Sequence, residues 1–173
     1  TKNDSSQYFS GALSYLSGEK SWQDYHSVGV QGLNDFVVRL SAKEIQKIIV
    51  NALPQLPSPV LKPLCSALEN VKLSVDIIDR LIAEFKQRES ATDEDSSAEL
   101  SFLLRSLSSS CEHPHVVVFI NTLIKQASPA QSMSEEIAIV ITGRCWQVFT
   151  SESQIMSFLE LLVTQHDIAV FQA

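Results

Sequence analysis

A chain of 173 residues with a formal net charge of −7, 45% hydrophobic and 19% charged side chains has the size and apolar content of one globular domain. That apolar fraction excludes wholesale disorder, and five glycines and six prolines are too few for a collagen-like or turn-dense chain. The strongest uncharged apolar run, His115 to Ile124, falls well short of the ~18 residues a membrane-spanning helix needs, so no membrane partner is expected.

Thr1 to Ser6 lack the basic-then-apolar start of a secretion signal. Tyr8, Phe9, Ala12, Leu13 and Leu16 predict a first helix, and Ser21 to Leu40 a second, interrupted near Gly29 and Gly32. From Ser41 the spacing of Ile45, Ile48, Ile49, Ala52 and Leu53 predicts a helix with a Ser41/Glu44 capping box, stopped by Pro54. Ser58-Pro59 starts the next, with Val60, Leu61, Leu64, Cys65, Leu68 and Val71 inward. Ser74 caps another, striped by Ile77, Ile78, Leu81, Ile82 and Phe85. Residues Arg88 to Ser97 have no apolar period and read as a solvated acidic linker over 88–97. Ser96 and Glu99 form a second capping-box pattern ahead of Leu100, Leu103, Leu104 and Leu107. Val116 to Ile124 suits a strand by its valines, yet Pro114 and the spacing of Phe119, Leu123 and Ile124 favour a helix. Ser128-Pro129 and Ser132/Glu135 are competing starts before Ile137, Ala138, Val140, Ile141 and Cys145. Ser151/Gln154 caps a helix with Ile155, Phe158, Leu159, Leu162 and Val163 inward, and Ile168 to Phe171 extend into a final short one.

The helix starts recur. Ser41, Ser74, His113 and Ser151 step by 33, 39 and 38 residues, while Ser21, Ser58, Ser96 and Ser132 step by 37, 38 and 36. Two interleaved series near this length are what stacked helical hairpins produce. From Ser21 to Val163 the chain therefore resembles a HEAT- or armadillo-type α-solenoid in architecture, and an irregular helical bundle with similar loops gives the same pattern. The expectation is a single all-α domain over 1–173, with about eight or nine helices in antiparallel hairpins, forming part of a larger protein.

Charge is unevenly placed: nine Lys+Arg against nine Asp+Glu up to Gln87, then four against eleven from Arg88 onward. The acidic half repels phosphates, so nucleic acid is not expected as a direct ligand, and Arg39, Lys43, Lys47, Lys62 and Lys72 read as solvated helix faces. Cys65, Cys111 and Cys145 are odd in number with no CxxC spacing, which suits a reducing intracellular compartment, nuclear or cytoplasmic, and buried apolar thiols.

Metal-ligand types crowd together only at Cys111-Glu112-His113-Pro114-His115. Zinc wants four ligands, or three and a water, and no second cluster follows at finger-like spacing. Cys111, His113 and His115 are thus weak metal candidates, and the plain alternative is a loop in which His113 caps a helix and His115 is solvated. No GxSxG, HExxH, GxxxxGK[ST] or GxGxxG pattern occurs, so neither a catalytic site nor a cofactor is expected. Tyr8, Phe9, Tyr15, Trp22 and Tyr25 are either partner-binding anchors or a cover for the open end of a helical stack. Trp146 reads as core or end packing. Thr92 and Ser96, followed by acids, are candidate phosphorylation sites, with a solubilising loop as the alternative. The functional expectation is a non-catalytic interaction module that holds another protein chain on a helical groove or end face. A homodimer through one apolar helix face is the alternative, and a zinc-containing or nucleic-acid-associated module ranks below both.

Overall fold

The computed structural model describes residues 37–56, 58–90, 96–127 and 133–166. Seven α-helices form in this part, with no strand among the described residues: α1 (Ala42–Ala52), α2 (Ser58–Leu68), α3 (Val75–Ser90), α4 (Ser96–Leu107), α5 (Pro114–Gln126), α6 (Glu135–Arg144) and α7 (Glu152–His166). Three short 3-10 turns, Leu53–Gln55, Ser108–Ser110 and Trp146–Val148, finish α1, α4 and α6. The first helix expected before Ser41 and the short one after His166 lie outside the described residues, and of the second, expected over Ser21 to Leu40, only Val37 to Leu40 are described, with Val37 and Val38 helical.

Local chemistry sets most of the ends. Ser41 and Glu44 form the reciprocal box: the Glu44 amide donates to Ser41 Oγ at 3.4 Å, and the Ser41 amide donates to Glu44 Oε2 at 2.8 Å. The hydrogen bonds from the Ser41 side chain and then its amide hold the Glu44 carboxyl below its ordinary value. A lowered folded-state pKa contributes stability above the ordinary value and loses it as the pH falls through the lowered one. Glu44→Ala is therefore expected to lower Tm by about 2 °C at neutral pH, with no difference once the carboxyl is protonated in both states. Thermal melts of the two proteins from acid to neutral pH check this.

One start differs from the expected pattern, that of α6. α4 begins at Ser96, and the Glu99 carboxylate accepts from Arg88 Nη1 and Ser58 Oγ. α6 is capped by Ser134, whose Oγ accepts from the Ile137 amide at 3.4 Å, rather than by Ser128 or Ser132. At α7, Ser151 Oγ accepts from the Gln154 amide, while the Gln154 side chain accepts from the amide and hydroxyl of Thr150. The valine run is helical, with Pro114 in the first turn and His113 as N-cap. Pro63 sits inside α2 and forfeits one intrahelical bond without ending the helix.

One contiguous core runs through all seven helices, and Phe85, Leu61, Leu64, Leu68, Ile78, Leu81, Leu103, Leu104, Leu107, Ile120 and Ile141 are among its fully buried side chains. α4 lies at the centre, packed on α2, α3 and α6, while α3 also packs on α1 and α5. Polar contacts at the two ends fix the directions. At one end, Arg88 near the C-terminus of α3 meets the start of α4 and α2: its Nε donates to Glu84 Oε1 at 2.6 Å, Nη1 to Glu99 Oε2 at 2.5 Å, and Nη2 to the carbonyls of Leu56 at 2.9 Å and Leu53 at 3.3 Å. Ser58 Oγ donates to the other oxygen of Glu99. At the opposite end, Ser109 Oγ donates to the Val71 carbonyl at 2.9 Å, and Arg144 Nη1 pairs with Glu69 Oε2 at 2.6 Å. So α2, α4 and α6 run in one direction as one row. α1 and α3 run the other way, and α5 follows α3, because His115 in its first turn pairs with Asp79 early in α3.

The expected linker is shorter than the sequence suggests. α3 continues through Arg88 to Ser90, and the Arg88, Glu84 and Glu99 side chains are 13%, 5% and 18% exposed. Burial opposes the guanidinium charge, but hydrogen bonds to Glu84 and Glu99 outweigh it and raise the Arg88 pKa above its ordinary value. Residues 91–95 lie outside the described residues.

Candidate functional site

The segment Cys111–His115 joins the turn after α4 to α5. Its side chains do not converge on a common point. His113 Nδ1 accepts from the His115 amide at 3.3 Å, which is the N-cap of α5 and uses the lone pair a metal would need. His115 Nδ1 contacts Asp79 Oδ1 at 2.6 Å with both side chains about half exposed, and the two imidazoles stand edge to face at 5.0 Å. Cys111 turns inward, its thiol reaching the Arg144 carbonyl at 3.9 Å. Among the described residues no group of three or more His, Cys, Asp or Glu side chains could hold a metal ion. Cys111, His113 and His115 thus fill separate structural roles: a buried thiol, a helix cap and a half-exposed contact with Asp79.

Above this segment lies a groove of about 730 Å³, walled by Asn70, Lys72, the Ser108–Ser110 turn, Cys111 and His113. Ser109 Oγ donates to the carbonyls of Leu68, Val71 and Ser106, and Ser108 Oγ to that of Arg105. These two hydroxyls bond carbonyls at the C-terminal ends of α2 and α4, where intrahelical partners run out.

A second groove, of about 400 Å³, opens between α5 and α7, lined by Ile124, Ala127, Phe149, Phe158 and Leu161 with Lys125 and Gln154 at its polar edge. Phe149 builds its wall through two ring contacts, to Trp146 at 5.8 Å and Phe158 at 5.6 Å. Trp146, expected in the core or packed at an end, is 42% exposed. α7 departs from the expected single stripe: Phe158 and Leu162 are buried, Ile155, Leu159 and Leu161 are half-buried, and Met156 and Val163 are 56% and 45% exposed. Val163 therefore faces out, against the expectation that it points inward. Seven residues apart, Met156 and Val163 share one face. The sequence carries the signal for this. Between Ile155 and Val163 seven of nine residues are apolar, spread over roughly 220° at 100° per residue, wider than one core-facing stripe.

Of the other candidate residues, Tyr8, Phe9, Tyr15, Trp22, Tyr25 and Thr92 lie outside the described residues, and Ser96 is the first residue of α4. Arg39, Lys43, Lys47, Lys62 and Lys72 are exposed. Among the described residues no helix is long and apolar enough to cross a membrane.

The described residues are all-helical, and an apolar groove opens between α5 and α7. The chain belongs to the family described as "Protein of unknown function (DUF3549)", whose model matches residues 1–173. No curated protein and no solved structure matches it.

Proposed function

We propose that the protein is a non-catalytic interaction module, a short HEAT-like α-solenoid whose open α7 face holds a helix of a partner protein. The observation that carries this reading is the double apolar surface of α7, with Phe158 and Leu162 buried against the array while Met156, Leu159 and Val163 form a second, largely open strip. Large apolar side chains at helical spacing on an open face mark a surface that another element covers. The solenoid reading draws support from the alternation of rows: α1/α2 and α3/α4 are hairpins of opposed helices, and like helices of successive units lie side by side. α7 then starts a further unit, and its strip is where the next helix of such a stack would lie. Charge adds a requirement on the partner. From Arg88 to Ala173 four cations face eleven anions, so the bound helix carries Lys or Arg beside its apolar anchors.

The test is affinity capture with the native protein and with a Met156→Glu/Val163→Glu variant, both positions being exposed enough to accept charge without unfolding the core. The expected result is a stoichiometric partner retained by the native chain and weakened at least about tenfold by the variant, with binding that falls as salt rises. Equal capture by both proteins would refute the reading. A dimer seen by light scattering that the variant abolishes would assign the same strip to self-association instead.

A further inference from the structure

The groove between α5 and α7 departs in charge from the half of the chain that builds it. From Arg88 to Ala173 eleven Asp and Glu stand against four Lys and Arg, yet no carboxylate lines this groove of about 400 Å³. Its one charged lining residue among those described is Lys125, which is exposed and makes neither an ion pair nor a hydrogen bond there. Arg88 and Arg144, by contrast, are tied to Glu84, Glu99 and Glu69. Gln154, also at the polar edge, is fixed by Thr150, whose amide and hydroxyl donate to its Oε1 at 3.0 and 2.9 Å. That leaves the hydrogens on the Gln154 amide nitrogen for a ligand. The walls are apolar: Phe158 is buried, and Ile124, Phe149 and Leu161 are half-buried. Gln154 and Leu161 lie roughly 140–180° around α7 from Met156 and Val163, so the groove and the open strip are separate surfaces.

We propose that this groove binds a free monocarboxylate with an aliphatic tail, a small molecule of the medium-chain fatty acid class. The carboxylate accepts hydrogen bonds from Lys125 Nζ and the Gln154 amide, and the tail displaces water from Phe149, Phe158, Ile124 and Leu161. Small-molecule sites have this make-up: a few hundred Å³, apolar and aromatic walls, and a few placed polar groups. Ser153 and Gln154 belong to the first turn of α7, where the helix dipole also favours an anion. Glu152, in the same turn, lies roughly 160° around the helix from Gln154 and does not line the groove. Charge selects the head group. One ammonium matches one negative charge, whereas a doubly charged phosphate would bring a second with no countercharge into an acidic half. A cationic head group is attracted by that half as a whole but meets Lys125 at the groove itself.

The experiment titrates the native chain and Lys125→Gln with octanoate, octanol and octylamine, followed by two-dimensional amide NMR. Lys125 is exposed, so its replacement leaves the core intact. Octanoate is expected to give saturable shifts at the Gln154 side-chain amide and at the backbone amides of Lys125, Phe149 and Leu161. Octanol is expected to bind at least about tenfold more weakly, because it lacks the charge-assisted bonds to the head group. In Lys125→Gln the octanoate affinity falls to that of octanol, while the octanol affinity is unchanged. From butanoate to octanoate, each methylene is expected to tighten binding by up to about fourfold. The proposal is overturned if octanoate gives no saturable shift, if octanol or octylamine binds as tightly as octanoate, or if the shifts fall on Met156 and Val163 instead. Groove signals that move on dilution of the protein alone would assign the groove to a second copy of the chain and overturn it equally.

Discussion

Replacing Arg88 by alanine is expected to destabilise the fold by ~3–5 kcal/mol, a fall in Tm on the order of 10 °C. The guanidinium holds two carboxylates and two carbonyls at once, and its removal leaves Glu84, 5% exposed, and Glu99 without a countercharge. The cost comes mostly from charges stranded away from water rather than from attraction lost, since a solvated ion pair of the same length is worth less than ~1 kcal/mol. Two measurements separate these causes. Urea denaturation of Arg88→Ala gives the size of the loss, and adding Glu84→Gln and Glu99→Gln to Arg88→Met is expected to recover part of it by removing the stranded charges. A loss below ~1 kcal/mol for Arg88→Ala would mean that water reaches the carboxylates and that the junction behaves as a surface pair.

Phe85→Ala is expected to cost a similar ~3–5 kcal/mol by opening a cavity where α3 meets α5. Phe85 is fully buried, and its ring stands edge to face on Phe119 at 5.1 Å with an interplanar angle of 78°, a contact that adds ~0.5–1.5 kcal/mol beyond the area buried. Val118→Ala, one residue from Phe119 but 66% exposed, is expected to stay within ~0.5 kcal/mol of the native protein. Denaturant midpoints of the two variants make the comparison. Equal losses would show that α5 is held by something other than its buried face.

What can be read in advance divides along the range of the interactions. Ser41, His113 and Ser151 act as helix starts because a side-chain oxygen or nitrogen reaches an amide two or three residues on, a relation that lies within a few letters of sequence. The buried stripe Ile45, Ile48, Ile49 and Ala52 follows from helical geometry alone. Arg88 is illegible for the opposite reason. Its neighbours in sequence are polar, so it reads as the first residue of a linker, whereas its partners Leu53, Leu56 and Glu99 stand 35, 32 and 11 residues away. The same limit applies to Trp146 and Val163. An apolar residue at helical spacing looks like core whether or not another element covers it, and only the surrounding helices leave these two at 42% and 45% exposure.

By itself, then, the sequence determined that the described chain is helical, where most helices begin, and which stripe of each is apolar, because helix formation, capping and amphipathic spacing are decided over three or four residues. The tertiary structure decided which helices are neighbours and in what direction they run. It also brought Cys111 to the Arg144 carbonyl and Arg144 to Glu69, and it left one strip of α7 open. Contacts such as that between Arg144 and Glu69 span 75 residues, and the apolar effect that drives them is non-directional: it rewards burial of a face without specifying what buries it.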